Sequence, residues 1–248
     1  MSENLTEWHQ TVNAIKSHVV QIITPQGKGT GFLIWKSKKN PICAIATAAH
    51  VVDFAHYWMD PIRIRHYESG DPILLRENQR AIIIDEKRDT ATIVFECKDL
   101  KMPVEPFGLI PEKKHIRVGV EVGWLGFPAM SINDLCFFSG RISNYRTQDD
   151  RYLIDGVAIN GVSGGPTFYF DSEGKVILIG VVSAYIPNRA TGESLPGLCV
   201  VADVTQLQND VKHFKSVEEA KEEETTTPPP NAETNKPKDK DSSGSSVA

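Results

Sequence analysis

Three short segments carry residue types that can act together as a nucleophile, a base and an orienting acid. In Asn160-Gly161-Val162-Ser163-Gly164-Gly165-Pro166 a serine lies among glycines between two β-rich runs. A glycine-flanked serine is by itself a common turn. Here each glycine also has a chemical use: backbone N–H groups at Gly161 and Ser163 can converge on one oxygen, while Gly164 and Gly165 allow close substrate approach. The run Ala46-Thr47-Ala48-Ala49-His50-Val51-Val52 ends an apolar strand in a histidine among small residues, a setting in which an imidazole can approach a neighbouring loop as a general base must. His9, His18, His56, His66, His115 and His213 lack such a setting. Asp89 stands at a strand entrance in Asp85-Glu86-Lys87-Arg88-Asp89-Thr90, where a carboxylate can be partly buried and hold the His50 tautomer. A solvated charged turn explains the same residues more blandly, and Asp85 is a less well placed alternative. The order is His, Asp, Ser, with separations of 39 and 74 residues.

These residues need elements to hold them. Leu5, Trp8, Val12, Ile15 and Val19 recur at steps of three and four, which predicts a short N-terminal helix within residues 1–17. From 18 onward the pattern changes to short β-rich runs: Val19–Ile23, Gly31–Trp35, Ile42–Ala46, Ala81–Ile84, Thr92–Phe95 and Val120–Trp124. Cys136–Phe138, Tyr152–Ile154, Thr167–Phe170, Val176–Val182 and Leu198–Val201 continue it. Many short strands with few helices predict an antiparallel sandwich or barrel. Strand-rich halves on either side of 98–114 fit two barrels of similar size with a cleft between them. Beyond Lys215 the chain turns to Glu218-Glu219-Ala220-Lys221-Glu222-Glu223-Glu224 and then Pro- and Ser-rich sequence, so 216–248 reads as a disordered tail.

Composition narrows the function. The chain has 248 residues, 40% of them hydrophobic, and a net charge of −5, and it shows no concentrated Lys/Arg field; nucleic-acid binding is not expected. Protein or peptide partners are. Cysteines 43, 97, 136 and 199 lack zinc-site spacing, so free thiols, no metal and no cofactor are expected. The opening residues have neither the basic nor the apolar region of a secretory signal and no run reaches membrane-spanning length, which points to a cytoplasmic setting. The oligomeric state is left open.

The Thr47-Ala48-Ala49-His50, Asp89-Thr90-Ala91-Thr92-Ile93 and Ser163-Gly164-Gly165-Pro166 elements resemble those of the trypsin-like serine peptidases. Gly29-Thr30-Gly31-Phe32-Leu33-Ile34, Ile159-Asn160 and Leu195-Pro196-Gly197-Leu198-Cys199-Val200-Val201 resemble the HtrA/DegP-like branch. The similarity spans about 18–212. It implies an all-β fold of two six-stranded antiparallel Greek-key β-barrels with a short N-terminal helix, and a peptidase domain over 18–215. It also implies roles: Ser163 as nucleophile, His50 as base, Asp89 as orienting acid, and the N–H groups of Gly161 and Ser163 as the oxyanion hole. Ser183, Ala184 and Tyr185 would form the edge strand that pairs with an extended substrate. Val157, six residues before Ser163, lies where trypsins that cleave after Arg or Lys hold an acid, so an apolar P1 residue is expected.

The departures carry implications too. Val51 replaces the cysteine that follows the histidine in secreted trypsins, and Val162 replaces the aspartate before the nucleophile, so activation by propeptide removal is not expected. HtrA-like enzymes tend to carry a Pro-Gly-Asn stretch where this chain has Gly161-Val162, which leaves the resting shape of the oxyanion loop open. Regulation through a C-terminal peptide-binding domain is not expected. The main alternative is a catalytically inactive peptide-binding module on the same fold. A role of the tail in holding partners is a further reading. Gly161-Val162-Ser163-Gly164-Gly165 also fits the G-x-S-x-G elbow with Asp203 and His213 downstream, but Pro166-Thr167-Phe168-Tyr169-Phe170 reads as a strand where the elbow needs a helix.

Overall fold

Each β-rich run becomes a strand in the computed structural model, which describes residues 7–69, 71–131, 133–187 and 194–226. The first seven strands are β1 (Val19–Thr24), β2 (Gly27–Lys36), β3 (Ile42–Thr47), β4 (Ile62–His66), β5 (Ile73–Leu75), β6 (Arg80–Asp85) and β7 (Thr90–Glu96). They form one antiparallel sheet in the order β5-β4-β1-β2-β3-β7-β6. Its two edges follow each other in the chain, with only residues 76–79 between them, so the sheet must curl until they meet. Arg80 closes the seam: its guanidinium donates to Leu75 O at 2.8 Å, Asp60 O at 2.6 Å and Ala55 O at 3.1 Å.

The second sheet contains β8 (Gly108–Leu109), β9 (Glu121–Gly126), β10 (Cys136–Arg146), β11 (Arg151–Asp155), β12 (Pro166–Phe170), β13 (Val176–Pro187) and β14 (Ser194–Asp203). The order is β12-β9-β10-β11-β14-β13-β8, and β12 also pairs with β13, which closes a ring of six antiparallel strands. Two barrels of the expected kind result, each with one short addition: three-residue β5 in the first, and two-residue β8, parallel to β13, in the second.

Period-two alternation explains how β2 serves both cores. Leu33 packs inside the first barrel with Ile45, Ile62, Ile64 and Ile93. Its neighbours Phe32 and Ile34 join the second core, built on Trp124, Leu125, Tyr152, Phe168 and Val181. Along β3 the residues turned to the second barrel are Ala44 and Ala46, followed by Ala48, all fully buried. Small side chains there let the barrels approach closely just where His50 emerges.

Among the described residues three α-helices decorate the barrels. α1 (Trp8–Ile15) docks on the second through Trp8, whose ring lies 4.8 Å from Phe170 and 5.3 Å from Phe137 and whose Nε1 donates to Glu121 at 3.1 Å. α2 (Ala49–Tyr57), not expected from the sequence, carries Val52 and Ala55 inward. α3 (Thr205–Thr226) corrects the expectation of disorder from residue 216, because the Glu/Ala/Lys-rich stretch has high helix propensity and extends a helix already nucleated. Ser37 Oγ pins it by donating to Glu218 at 2.5 Å. Residues 227–248 of the expected tail lie outside the described residues. Among the described residues no helix is long and apolar enough to cross a membrane.

Arg80→Met leaves three seam carbonyls without their charged donor. We expect a loss of about 2–3 kcal/mol in urea unfolding, largely restored in Arg80→Lys; an unchanged midpoint would contradict the seam.

Candidate active site

Strand β3 stops at Thr47, Ala48 takes an extended conformation, and α2 begins at Ala49. The first turn of any helix leaves backbone N–H groups without partners. Asp89 supplies two: its carbonyl accepts from Ala49 N at 3.2 Å and its carboxylate from His50 N at 3.0 Å. The same carboxylate lies 3.0 and 2.9 Å from His50 Nδ1 through its two oxygens, and Ser183 Oγ donates to it at 2.5 Å. With Nδ1–H committed to Asp89, the neutral ring keeps Nε2 free as an acceptor.

Burial opposes charge on both partners, and the pair outweighs it. Desolvation pulls the His50 pKa down, but the hydrogen bond and charge of Asp89, with a smaller contribution from Asp53, leave it raised above the ordinary histidine value. Burial pushes the Asp89 carboxyl up, yet the bonds from His50 and Ser183 hold it below the usual carboxylate range. Asp89 sits at φ +58°, a left-handed conformation costing about 1–2 kcal/mol. Neighbouring bonds hold it there. Arg88 reaches from the same turn to the second barrel, donating to Asp150 Oδ2 from Nη2 at 2.7 Å and from Nε at 3.1 Å, and to Asp85 at 3.0 Å. Arg151 Nη2 donates to Lys87 O at 3.0 Å.

Ser163 belongs to the second barrel, on the loop before β12. Gly161 and Gly164 have φ +90° and +86°, and a Cβ on Gly164 would stand 2.0 Å from Thr30 O. Thr30 of β2 clasps this loop: its N–H donates to Ser163 O at 2.8 Å and its Oγ1 to Gly161 O at 2.7 Å, while Oγ1 accepts from Phe127 N at 3.0 Å. Thr47 Oγ1 in turn donates to Thr30 O at 2.7 Å. The Asn160 carbonyl accepts from Ala129 N at 2.7 Å, and across a trans peptide this turns the Gly161 N–H the opposite way. Among the described residues neither the Gly161 nor the Ser163 N–H has a protein acceptor.

His50, Gly161 and Ser163 line one cavity of about 350 Å³, together with Thr24, Lys28 and Phe54. Ser163 and His50 share it without a hydrogen bond between their side chains among the described residues. Larger cavities of about 660 and 480 Å³ run along α3; the second is lined by Ser37, His213 and Glu218, but the Ser37 hydroxyl donates to Glu218 and no hydrogen bond joins His213 to a carboxylate among the described residues.

The remaining expected residues divide. Val157 is half-exposed and lies outside the lining of this cavity. The Ser183 side chain is buried on Asp89, and a register shift between Val182 and Ala184 leaves Ser183 out of the β13–β14 ladder. Ala184 and Tyr185 pair through their backbones with Val200 and Cys199, while their side chains lie outside the described residues. Beyond Val182 the other edge of β13 has no strand partner among the described residues. Sequence reasoning missed the clasp by Thr30, whose one signal was its place between Gly29 and Gly31, and the Arg88–Asp150 pair. All four cysteines are free.

No protein-family model and no curated protein matches the chain. Solved structures do. The Rv3671c protease of M. tuberculosis H37Rv, in an inactive form, superposes with a TM-score of 0.55 at 21% identity, over 82% of this chain and 91% of that one. Deg5 gives 0.59 at 18% identity, over 84% and 94%. A serine endoprotease from Yersinia pestis gives 0.58 at 19%, over 86% and 67%. The chain therefore has the trypsin-like fold of HtrA/DegP-type serine proteases.

Because Asp89 is what raises His50, its removal has a signed consequence. In an NMR titration His50 should give up its proton above pH ~6.5, and in Asp89→Asn the midpoint should fall, since the burial remains and the countercharge is gone. An unchanged midpoint would contradict this electrostatic account.

Proposed function

We propose that this protein is a serine endopeptidase working through an acyl-enzyme on Ser163, with His50 and Asp89 completing the triad. The observation that carries the reading is the Asp89-held imidazole, at 2.9–3.0 Å, on one cavity with a serine from the other barrel. Ser163 Oγ attacks the scissile carbonyl while His50 Nε2 takes its proton, and the Asp89 carboxylate stabilises the resulting imidazolium. The unclaimed N–H groups of Gly161 and Ser163 receive the oxyanion. His50 then passes the proton to the leaving amine. Water attacks the acyl-enzyme with His50 again as base, releasing the acid and restoring Ser163 Oγ–H. The Ser163–His50 hydrogen bond closes as substrate enters, a tightening common at catalytic sites.

Substrate recognition uses backbone first. The unpaired edge of β13 at Ser183–Tyr185 adds the acyl half of an extended peptide as one more strand. With Gly156, Val157 and Ala158 uncharged, the P1 side chain is small or medium and apolar; preferential cleavage after Lys or Arg in a peptide library would refute that assignment.

A fluorophosphonate probe read out by intact mass tests the chemistry, because labelling needs an activated serine and an oxyanion hole. One adduct on the wild type is expected, none on Ser163→Ala, and a loss of about 10³-fold or more in rate for His50→Ala. A folded wild type that takes no adduct would leave the peptide-binding module as the reading.

A further inference from the structure

Helix α2 leaves more apolar surface in water than its packing requires. It seats on the first barrel through Val52 and Ala55, both fully buried, which turns Phe54 and Trp58 outward at 45 and 69% exposure. These two are one helical turn apart, with ring centroids 5.8 Å from each other, so they form a continuous ledge. Contiguous exposed apolar surface beside a cleft marks a binding site. Tyr57, also exposed, is tied through its hydroxyl to Glu86.

The ledge runs into the reaction cavity. Phe54 is itself a lining residue together with His50 and Ser163, and Ala129, followed by Met130 at 86% exposure, lines the same cavity. Direction follows from the strand edge. If the acyl half of the substrate pairs with β13 from Ser183 onward, the opposite side of Ser163 takes the leaving half, and this cavity is walled by Thr24, Gly27 and Lys28 of the β1–β2 hairpin, with no residue of β13 among its described lining. Asp53, Asp60 and Glu86 stand close to the ledge in sequence or by contact, a charge pattern that disfavours an anionic lipid surface.

We infer that Phe54 and Trp58 dock the substrate on the leaving-amine side of the scissile bond, and that the substrate class is a peptide with a large apolar or aromatic side chain there. The inference rests on the endopeptidase reading for its direction. Its test does not need turnover.

Full-length Ser163→Ala protein is titrated by fluorescence anisotropy with labelled peptides carrying Val at P1 and either Phe or Ser at each of the first three downstream positions. At one position Phe should bind about tenfold more tightly than Ser. In Phe54→Ala and in Trp58→Ala, made in the same background and checked for native circular dichroism, that ratio should fall below about twofold, and Trp58→Phe should restore most of it. A ratio near one in the parent, or one that survives both alanine variants, overturns the inference. So does a dimer seen by sedimentation that Trp58→Ala dissolves while both peptides bind equally, which would assign the ledge to a second copy of the chain. Phosphonate labelling of wild type separates the two claims: labelling with no Phe preference sinks the ledge alone, whereas a ledge-dependent preference without labelling sinks the endopeptidase reading alone.

Discussion

The clasp of Thr30 on the Gly161–Ser163 loop is the contact on which the arrangement of the site depends. One residue of β2 uses its N–H and both capacities of its hydroxyl across the boundary between barrels, while its carbonyl is tied to Thr47 of its own barrel. The barrels also meet through apolar side chains, which are non-directional and tolerate sliding. Hydrogen bonds do not, and those at 2.7 and 2.8 Å end on the very loop that carries Ser163. The Arg88–Asp150 pair supplies a second fixed point on the other side, next to Asp89. His50 and Asp89 come from the first barrel and Ser163 from the second, so their alignment depends on these joints, together with the Ser183–Asp89 and Arg151–Lys87 bonds between the barrels.

The same division explains the local strain. Asp89 and Gly161 occupy left-handed backbone conformations, and each is held by bonds from other elements, Asp89 also by its own turn through its N–H to Glu86 O at 3.3 Å. Such conformations persist where the surroundings over-determine them, and they accumulate at sites whose geometry matters. On Asp89 the outcome is a carboxylate with acceptors filled by the α2 N-terminus, the imidazole and Ser183, which keeps it ionised although it is largely buried. The ionised carboxylate then sets the His50 ring in one tautomer. Loop conformation, charge state and ring orientation are thus consequences of one another.

Much of this was legible in the residues. β-branched runs with turn punctuation marked eleven strands, and the small alanines before His50 anticipated a close approach that the fully buried Ala46 and Ala48 make real. Glycines at 161 and 164 were readable as positions where backbone or close contact excludes a side chain. What escaped had physical reasons. Helix α2 is built from Val51, Val52, Phe54 and Tyr57, residues that favour strands, and it forms because the barrel and Asp89 cap it. β4, with Ile62-Arg63-Ile64-Arg65, alternates properly but is short. The acidic stretch after Lys215 reads as solvated tail on composition, whereas its helix propensity and the Ser37–Glu218 bond carry α3 on to Thr226. The pairing of Arg88 with Asp150, 62 residues away, has no local signature at all.

The most direct measurement of the central claim is the rate of Ser163 phosphonylation in Thr30→Val and Thr30→Ser. Valine keeps the shape but removes the hydroxyl that bridges Phe127 N and Gly161 O, leaving two buried groups unpaired at about 1–3 kcal/mol each. If the clasp aligns the two barrels, Thr30→Val should label at least ~100-fold more slowly while remaining folded, and Thr30→Ser should stay within a few-fold of wild type. Labelling of Thr30→Val at the wild-type rate would contradict the account and move the origin of the alignment elsewhere.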